Sequence, residues 1–285
     1  MNETISLRFR GISDPIILEN AEDLLPAIET VFPGWEWRRL SRKSPRPAVI
    51  SISREANKFK RSSRWVKKLD LDDDPADAMC NFVSDIIDAY IEEHPGTLGI
   101  HASAVRLGSK GLVVFPSAHK SGKSLLATHL VEQGGVLYSD DVVLLPKGRH
   151  YGMATGIAPR LRLPVPKEQC SAFSKFLTRV GMCANQRYGW VNLQLGQIAK
   201  LGDKAPIQSI VLLNRREYFN KEPKLENFPR PKVLAQLVQH GFSLEANASE
   251  IVTRLSKVVR QAECYQLSYS SAEKAAKTLC DKFFD

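Results

Sequence analysis

Eight consecutive residues, Ser117-Ala-His-Lys-Ser-Gly122-Lys123-Ser124, combine the residue types that hold a polyphosphate. Small residues leave backbone N–H groups free to converge on an anion. A lysine supplies a point charge, and the hydroxyl beside it offers an oxygen to a magnesium ion. The octet lies between an apolar run, Gly111-Leu-Val-Val-Phe115, and a stretch with helical spacing from Ser124 to about Gln133. A strand passing through a tight turn into a helix suits this chemistry, because the helix start adds its own N–H groups and dipole. Ser117, Ala118, His119, Lys120, Ser121, Gly122, Lys123, Ser124 and Leu125 are therefore expected to cradle the nucleotide phosphates. The pattern wants glycine where Ser117 stands, and serine takes up many of the same backbone angles at some cost in strain. The competing reading is a plain strand–loop–helix corner in which Gly122 is only a turn residue.

Two further features fall near that loop. If Val105 and Val113 face each other across the Gly108–Gly111 turn, counting back along the hairpin sets His101 opposite Ser117. An imidazole there can contact phosphate or steer a proton near neutral pH; the alternative is an edge-strand histidine satisfied by backbone. Asp140-Asp141 follows the run Val136-Leu-Tyr-Ser139, which is expected to run parallel to the loop strand because a helix crosses between them. Ligands of such sheets gather at the carboxyl ends of strands, where Asp140 emerges. One carboxylate can hold Mg²⁺ and the other can accept a proton from an attacking hydroxyl. Neighbouring strand residues point to opposite faces, so the pair cannot share one role unless the backbone bulges. Arg160 and Arg162, in Ala158-Pro-Arg-Leu-Arg-Leu-Pro164, are candidates for phosphate or acidic-substrate contact, since guanidinium groups bind oxyanions through paired donors. Two solvated arginines on a surface strand are the alternative.

The elements that must position these groups are legible on both sides of the loop. Residues 1–95 read as a smaller α+β domain with a possible substrate-presenting or interaction role. There Ile5-Ser-Leu-Arg-Phe-Arg10 and Ala48-Val-Ile-Ser-Ile-Ser53 alternate as strands do, and Ala21 to Val31 has helical spacing. Asp72-Asp-Asp-Pro75 marks a helix start, and that helix runs through Phe82, Ile86 and Tyr90 to His94-Pro-Gly96. Residues 96–285 alternate strand and helix. After the loop helix come Val142 to Leu145, a strand at Ile207–Leu213 and helical segments at Pro231–His240 and Ala248–Gln261. A strand at Tyr265–Tyr269 and a helix from Ala272 to Phe284 close the chain. This order predicts an α/β domain on a mixed sheet.

Bulk properties narrow the function classes. The chain has 285 residues, 43% hydrophobic and 25% charged, as folded domains do. No apolar run approaches a membrane span, and Met1-Asn-Glu-Thr4 lacks the layout of a signal peptide, so no membrane association and a cytoplasmic location are expected. Five cysteines without CxxC pairing argue against a disulfide framework or zinc site. The net charge of +9 invites nucleic-acid binding. Its only cluster is Arg38 to Lys43 and Lys58 to Lys68, with no nucleic-acid motif beside it, so a solvated basic face is preferred.

The order His101-Ala-Ser-Ala-Val, Phe115-Pro-Ser-x-x-x-Ser-Gly-Lys-Ser and Ser139-Asp-Asp-Val-Val resembles the HPr serine kinase/phosphorylase superfamily. It is most similar to the HPr-kinase-related branch that includes lasso-peptide precursor kinases. The resemblance is best over residues 98–165 and continues weakly through Ala205-Pro-Ile-Gln-Ser-Ile-Val-Leu-Leu213 and Cys264-Tyr-Gln-Leu-Ser-Tyr-Ser270. It implies a P-loop kinase core of the HPr kinase/phosphoenolpyruvate carboxykinase type, using ATP and Mg²⁺. By match of motif, His101 and Lys123 take catalytic positions, Asp140 that of the proton acceptor, and Ser124 and Asp141 the metal positions. Ser117 departs from the loop's glycine, and His119-Lys120 adds bulk. The later Arg-Gly-Arg-Asn-like stretch of bifunctional members is missing, so phosphorylase activity and recognition of HPr are not implied.

The leading function is thus a Mg-dependent kinase that moves the γ-phosphoryl group of ATP to a serine- or threonine-type hydroxyl of a peptide or small protein. A kinase of a small hydroxylated metabolite and a non-catalytic nucleotide-binding regulator are the alternatives. The sequence leaves ATP versus GTP and the oligomeric state open, self-association included.

Overall fold

The computed structural model describes residues 3–41, 46–66, 70–116, 121–148, 151–166, 171–216 and 222–284. The first part is a sheet of β1 (Thr4–Phe9), β2 (Ile16–Glu19), β3 (Trp37–Arg39), β4 (Ile50–Glu55), β5 (Lys58–Ser63) and β6 (Asp70–Asp72), ordered β3-β1-β2-β4-β5-β6. The alternation along β1 buries Ile5, Leu7 and Phe9, and β4 buries Ile50 and Ile52. Helices α1 (Leu25–Val31) and α2 (Pro75–Glu93) pack against these residues. α2 starts where the acids and proline predict, with the Asp74 side chain accepting from the Asp77 N–H at 3.0 Å. Its buried stripe holds Met79, Phe82, Ile86 and Tyr90, each side chain contributing about 2 kcal/mol.

The basic run from Lys58 corrects the sequence reading. It is not wholly a solvated face: β5 alternates, turning Phe59 and Arg61 inward. The Arg61 guanidinium, 9% exposed, pairs with the Asp85 carboxylate of α2, 5% exposed. One turn on, Asp88 lies half-buried beside two further acids. Burial, then the charges of Asp85 and Glu92, push its carboxyl up to about 6. The folded state therefore holds a proton there that the unfolded chain has already released, so stability falls as pH rises from about 4 to about 6. Discounted for the group's partial exposure, the loss is about 1 kcal/mol. Asp88→Asn is expected to flatten that slope and raise neutral-pH stability by this amount, measured by urea unfolding at pH 4.5 and 7.5.

The second part begins with β7 (Leu98–Arg106), β8 (Leu112–Pro116), β9 (Val136–Ser139), β10 (Val142–Leu145) and β11 (Tyr151–Met153). It continues with β12 (Arg160–Arg162), β13 (Met182–Ala184), β14 (Tyr188–Val191), β15 (Lys204–Arg215), β16 (Lys224–Asn227), β17 (Gly241–Phe242) and β18 (Glu263–Tyr269). Helices α3 (Lys123–Glu132), α4 (Ser171–Val180), α5 (Arg230–His240), α6 (Ala248–Gln261) and α7 (Ala272–Phe283) bring the described α-helices to seven. The main sheet is mixed, as expected: β8, β15 and β18 are parallel, and β7 is antiparallel to β8. β9 and β10 follow one another along the other edge of β7, so β9 runs in the direction of β8 with β7 between them. Alternation along β8 decides the layers. Val113 and Phe115 meet Leu126, Leu130 and Leu279 of α3 and α7, while Leu112 and Val114 meet Val233, Leu237 and Leu255 of α5 and α6.

A small third sheet, ordered β12-β14-β13, stands beside the main one. The first part does not pack alone, because its apolar cluster includes Leu144, Met153, Ile157 and Trp190. The Gly34 N–H donates to the Gly156 carbonyl at 3.0 Å across the same join. Among the described residues no helix is long and apolar enough to cross a membrane.

Candidate functional site

Three parallel strands, β8, β15 and β18, end on one side of the sheet, and β9 ends there too. Their carboxyl ends carry Pro116, Arg215, Tyr269 and Ser139. Ser117, Ala118, His119 and Lys120 lie outside the described residues, and the chain is described again from Ser121. Gly122 then caps α3 at φ +90°, a left-handed conformation that favours glycine. A Cβ there would stand 3.3 Å from the Tyr269 Oη and 3.5 Å from Arg215 Nη1. The Gly122 carbonyl accepts the first helical bond from Leu126, so the free N–H groups of the first turn face the strand ends. Lys123, the first helical residue, is 6% exposed. The Ser121 Oγ is buried without a hydrogen-bond partner among the described residues.

The hairpin register agrees with the count made from sequence. Val105 pairs with Val113 and Ala102 with Pro116, so His101 is the next β7 residue beyond the end of β8. On its other side His101 pairs with Val142, and its exposed ring lies against Phe242 at 5.0 Å between centroids.

Between β9 and β10 the backbone turns sharply at the two adjacent acids. The Val142 N–H donates to the Asp140 carbonyl, and Asp141 sits between them at φ +67°. That three-residue turn holds Asp141 in a strained region that aspartate tolerates better than most residues. It sends the two carboxylates to different places. Asp140, 6% exposed, accepts from the Ser103 hydroxyl at 2.5 Å, from the Ser124 hydroxyl, and from the Arg160 N–H at 3.2 Å. Asp141, with a side chain 45% exposed, faces Arg160 Nη2 at 3.6 Å. Ser124 therefore meets Asp140 rather than Asp141, the reverse of the order that the resemblance implies. Burial and then the Asp141 charge push the Asp140 carboxyl above the usual carboxylate range, and its hydrogen bonds act the other way.

A cavity of about 180 Å³ opens between the start of α3, Asp141 and β12. Lys123, Arg160, Arg162 and Arg215 line it, together with Asp141 and Tyr188. Both sequence candidates on β12 thus reach the loop. Arg160 lies over the Tyr188 and Trp190 rings at 5.0 and 5.5 Å, and Arg162 lies 6.0 Å from the Tyr188 ring. Four cations and one carboxylate thus surround a small space. Among the described residues no group of three His, Cys, Asp or Glu could hold a metal ion unaided. Ser124 and Asp140 nevertheless supply the hard oxygen atoms that Mg²⁺ takes when phosphate and water complete its shell.

Four residues at this site had no local sequence signal. Ser103 and Arg215 sit in ordinary strand runs, and Tyr188 belongs to a strand of four residues. His240 ends α5. Burial, then the charges of His101 and Lys123, push its imidazole down. Three nitrogen groups therefore share that side of the loop.

No family model matches the chain. No curated protein matches it either. Among solved structures, the HPr(Ser) kinase/phosphatase from Coxiella burnetii is similar over 65% of this chain and 94% of that chain. The identity is 11% and the TM-score 0.32.

Proposed function

We propose that this protein is a Mg-ATP-dependent phosphotransferase whose β8–α3 loop is a phosphate loop. The acceptor is a serine- or threonine-type hydroxyl on a peptide or small protein. The observation that carries this reading is the start of α3. There a left-handed glycine, a buried lysine and a serine hydroxyl bonded to Asp140 meet at the carboxyl end of a parallel strand. The orphaned Ser121 Oγ and the loop amides supply donors for phosphate oxygens, and Lys123 and Arg215 supply charge. Held by Ser124 and Asp140, a magnesium ion would neutralise charge on the outer phosphates.

Asp141, exposed in the cavity, is the group that takes the acceptor's proton. The acceptor oxygen forms the new bond to the γ-phosphorus. The bond from that phosphorus to the bridging oxygen breaks, ADP leaves, and the hydroxyl proton passes to the Asp141 carboxylate. His101 stands beyond the end of β8, where an imidazole can orient the transferring group. Arg160 and Arg162 bind oxyanions of the nucleotide or of an acidic acceptor.

Calorimetric titration with Mg-ATP, run beside a labelled-ATP turnover assay whose products are separated by size, tests this. Lys123→Met is expected to weaken Mg-ATP binding about 30-fold, close to 2 kcal/mol, the scale of a lost charge-assisted contact. Label in a peptide or protein fraction supports a peptide or protein acceptor. Label in small products moves the acceptor to a metabolite, and binding without turnover makes the protein a regulator. Absence of Mg-ATP binding removes the proposal.

A further inference from the structure

The first turns of α2 reach from the first part of the chain to the arginine side of the cavity. Asp74 accepts two hydrogen bonds from the Asn185 amide, at 3.1 and 2.9 Å, and Asp77 pairs with the Arg187 guanidinium. The Trp190 indole N–H donates to the Ala76 carbonyl at 3.2 Å. These contacts grip the turn between β13 and β14 and fix the two rings on which Arg160 lies. One turn further along α2, the Cys80 thiol donates to that same Ala76 carbonyl at 3.3 Å. Its sulfur lies beside the Arg160 guanidinium, close enough for the two groups to interact. Burial pushes the thiol up, which keeps it neutral at ordinary pH.

Arg160 is thus held from several sides at once. Its backbone N–H reaches Asp140, its Nη2 faces Asp141, its plane covers Tyr188 and Trp190, and a sulfur from α2 meets its guanidinium. A long arginine side chain loses considerable rotamer freedom when it binds an anion, and restraint beforehand reduces that loss. The restraint comes from a helix that carries none of the residues named in the phosphoryl transfer.

We propose that the start of α2 is a positioning element of the phosphate site. Cys80 acts directly on Arg160, and Asp74 and Asp77 act through the β13–β14 turn. The inference rests on the phosphate-site reading and deepens it. The first part of the chain sets the affinity of the site for oxyanions, a task distinct from presenting an acceptor.

Four full-length variants test it: Cys80→Ala, Cys80→Ser, Arg160→Ala, and the Cys80→Ala/Arg160→Ala double. Cys80→Ala is expected to weaken Mg-ATP binding about 5-fold, as the loss of one polar contact with a charged group would, and to raise KM more than it lowers kcat. Serine keeps a polar partner and should restore affinity to within about 2-fold. Arg160→Ala should weaken binding about 50-fold, and the double variant no further, since Cys80 works only through Arg160. Additive losses in the double variant, or Cys80→Ala binding like wild type, would overturn the inference.

Melting temperatures of the same proteins separate its failure from that of the phosphate-site reading. If wild type binds no Mg-ATP, that reading is lost. Non-additive melting shifts would then still support the link between α2 and Arg160, and additive shifts would remove it as well.

Discussion

Asparagine in place of Asp141 is expected to slow phosphoryl transfer about 10³-fold while leaving Mg-ATP affinity within about 3-fold of wild type. The amide keeps the shape and the left-handed backbone but cannot take a proton. Asp140→Asn should behave differently. Its carboxylate meets Ser124, and its loss should weaken nucleotide binding in the presence of magnesium but not in EDTA. Rapid-quench transfer and calorimetry with and without the ion give both readouts. Asp141→Asn at full speed would show that the exposed acid is a bystander. An Asp140→Asn protein that binds normally but does not transfer would return the proton-accepting role to the buried acid.

The second large effect concerns stability. Arg61→Met is expected to destabilise the protein by about 3–5 kcal/mol, because it leaves the Asp85 carboxylate buried without its cation. The cost belongs to the stranded charge rather than to the pair as such. Replacing Asp85 by Leu in the same protein should therefore recover most of the loss, to within about 2 kcal/mol of wild type. Urea unfolding followed by tryptophan emission measures it, since Trp35 and Trp190 are both buried in this cluster. An unchanged midpoint in Arg61→Met would mean that Asp85 finds another partner or takes up a proton at little expense.

What could be read from the sequence was what depends on neighbours along the chain. β8, its turn and α3 announce themselves by an apolar run followed by helical spacing, and the hairpin count placed His101 correctly against the end of β8. Strand alternation also implied that Asp140 and Asp141 could share a role only across a bulge, and the turn at Asp141 instead sends the two carboxylates to different partners. Which acid would meet Ser124 did not follow, because that depends on the direction each side chain takes out of the turn.

Other features were hidden by short length or by composition. β12 and β13 have three residues each and β14 has four, too few for any period to show, so the sheet that carries Arg160 was missed. Arg61 stood inside a basic run, where charge concealed the alternation that buries it. Arg215 and His240 reach the site only through strand order and helix packing, and those are not local properties.

The turn at Asp141 also has a consequence for how this protein can change. β9 and β10 use the same edge of β7, with Ser139 opposite Ala104 on one side of the notch and Val142 opposite His101 on the other. Adding or deleting a single residue in the notch would slide β10 by one place and turn Val143 and Leu145 from the core to the opposite face. Substitutions there can be explored one at a time, but the length of the interval is locked by the ladder at both ends.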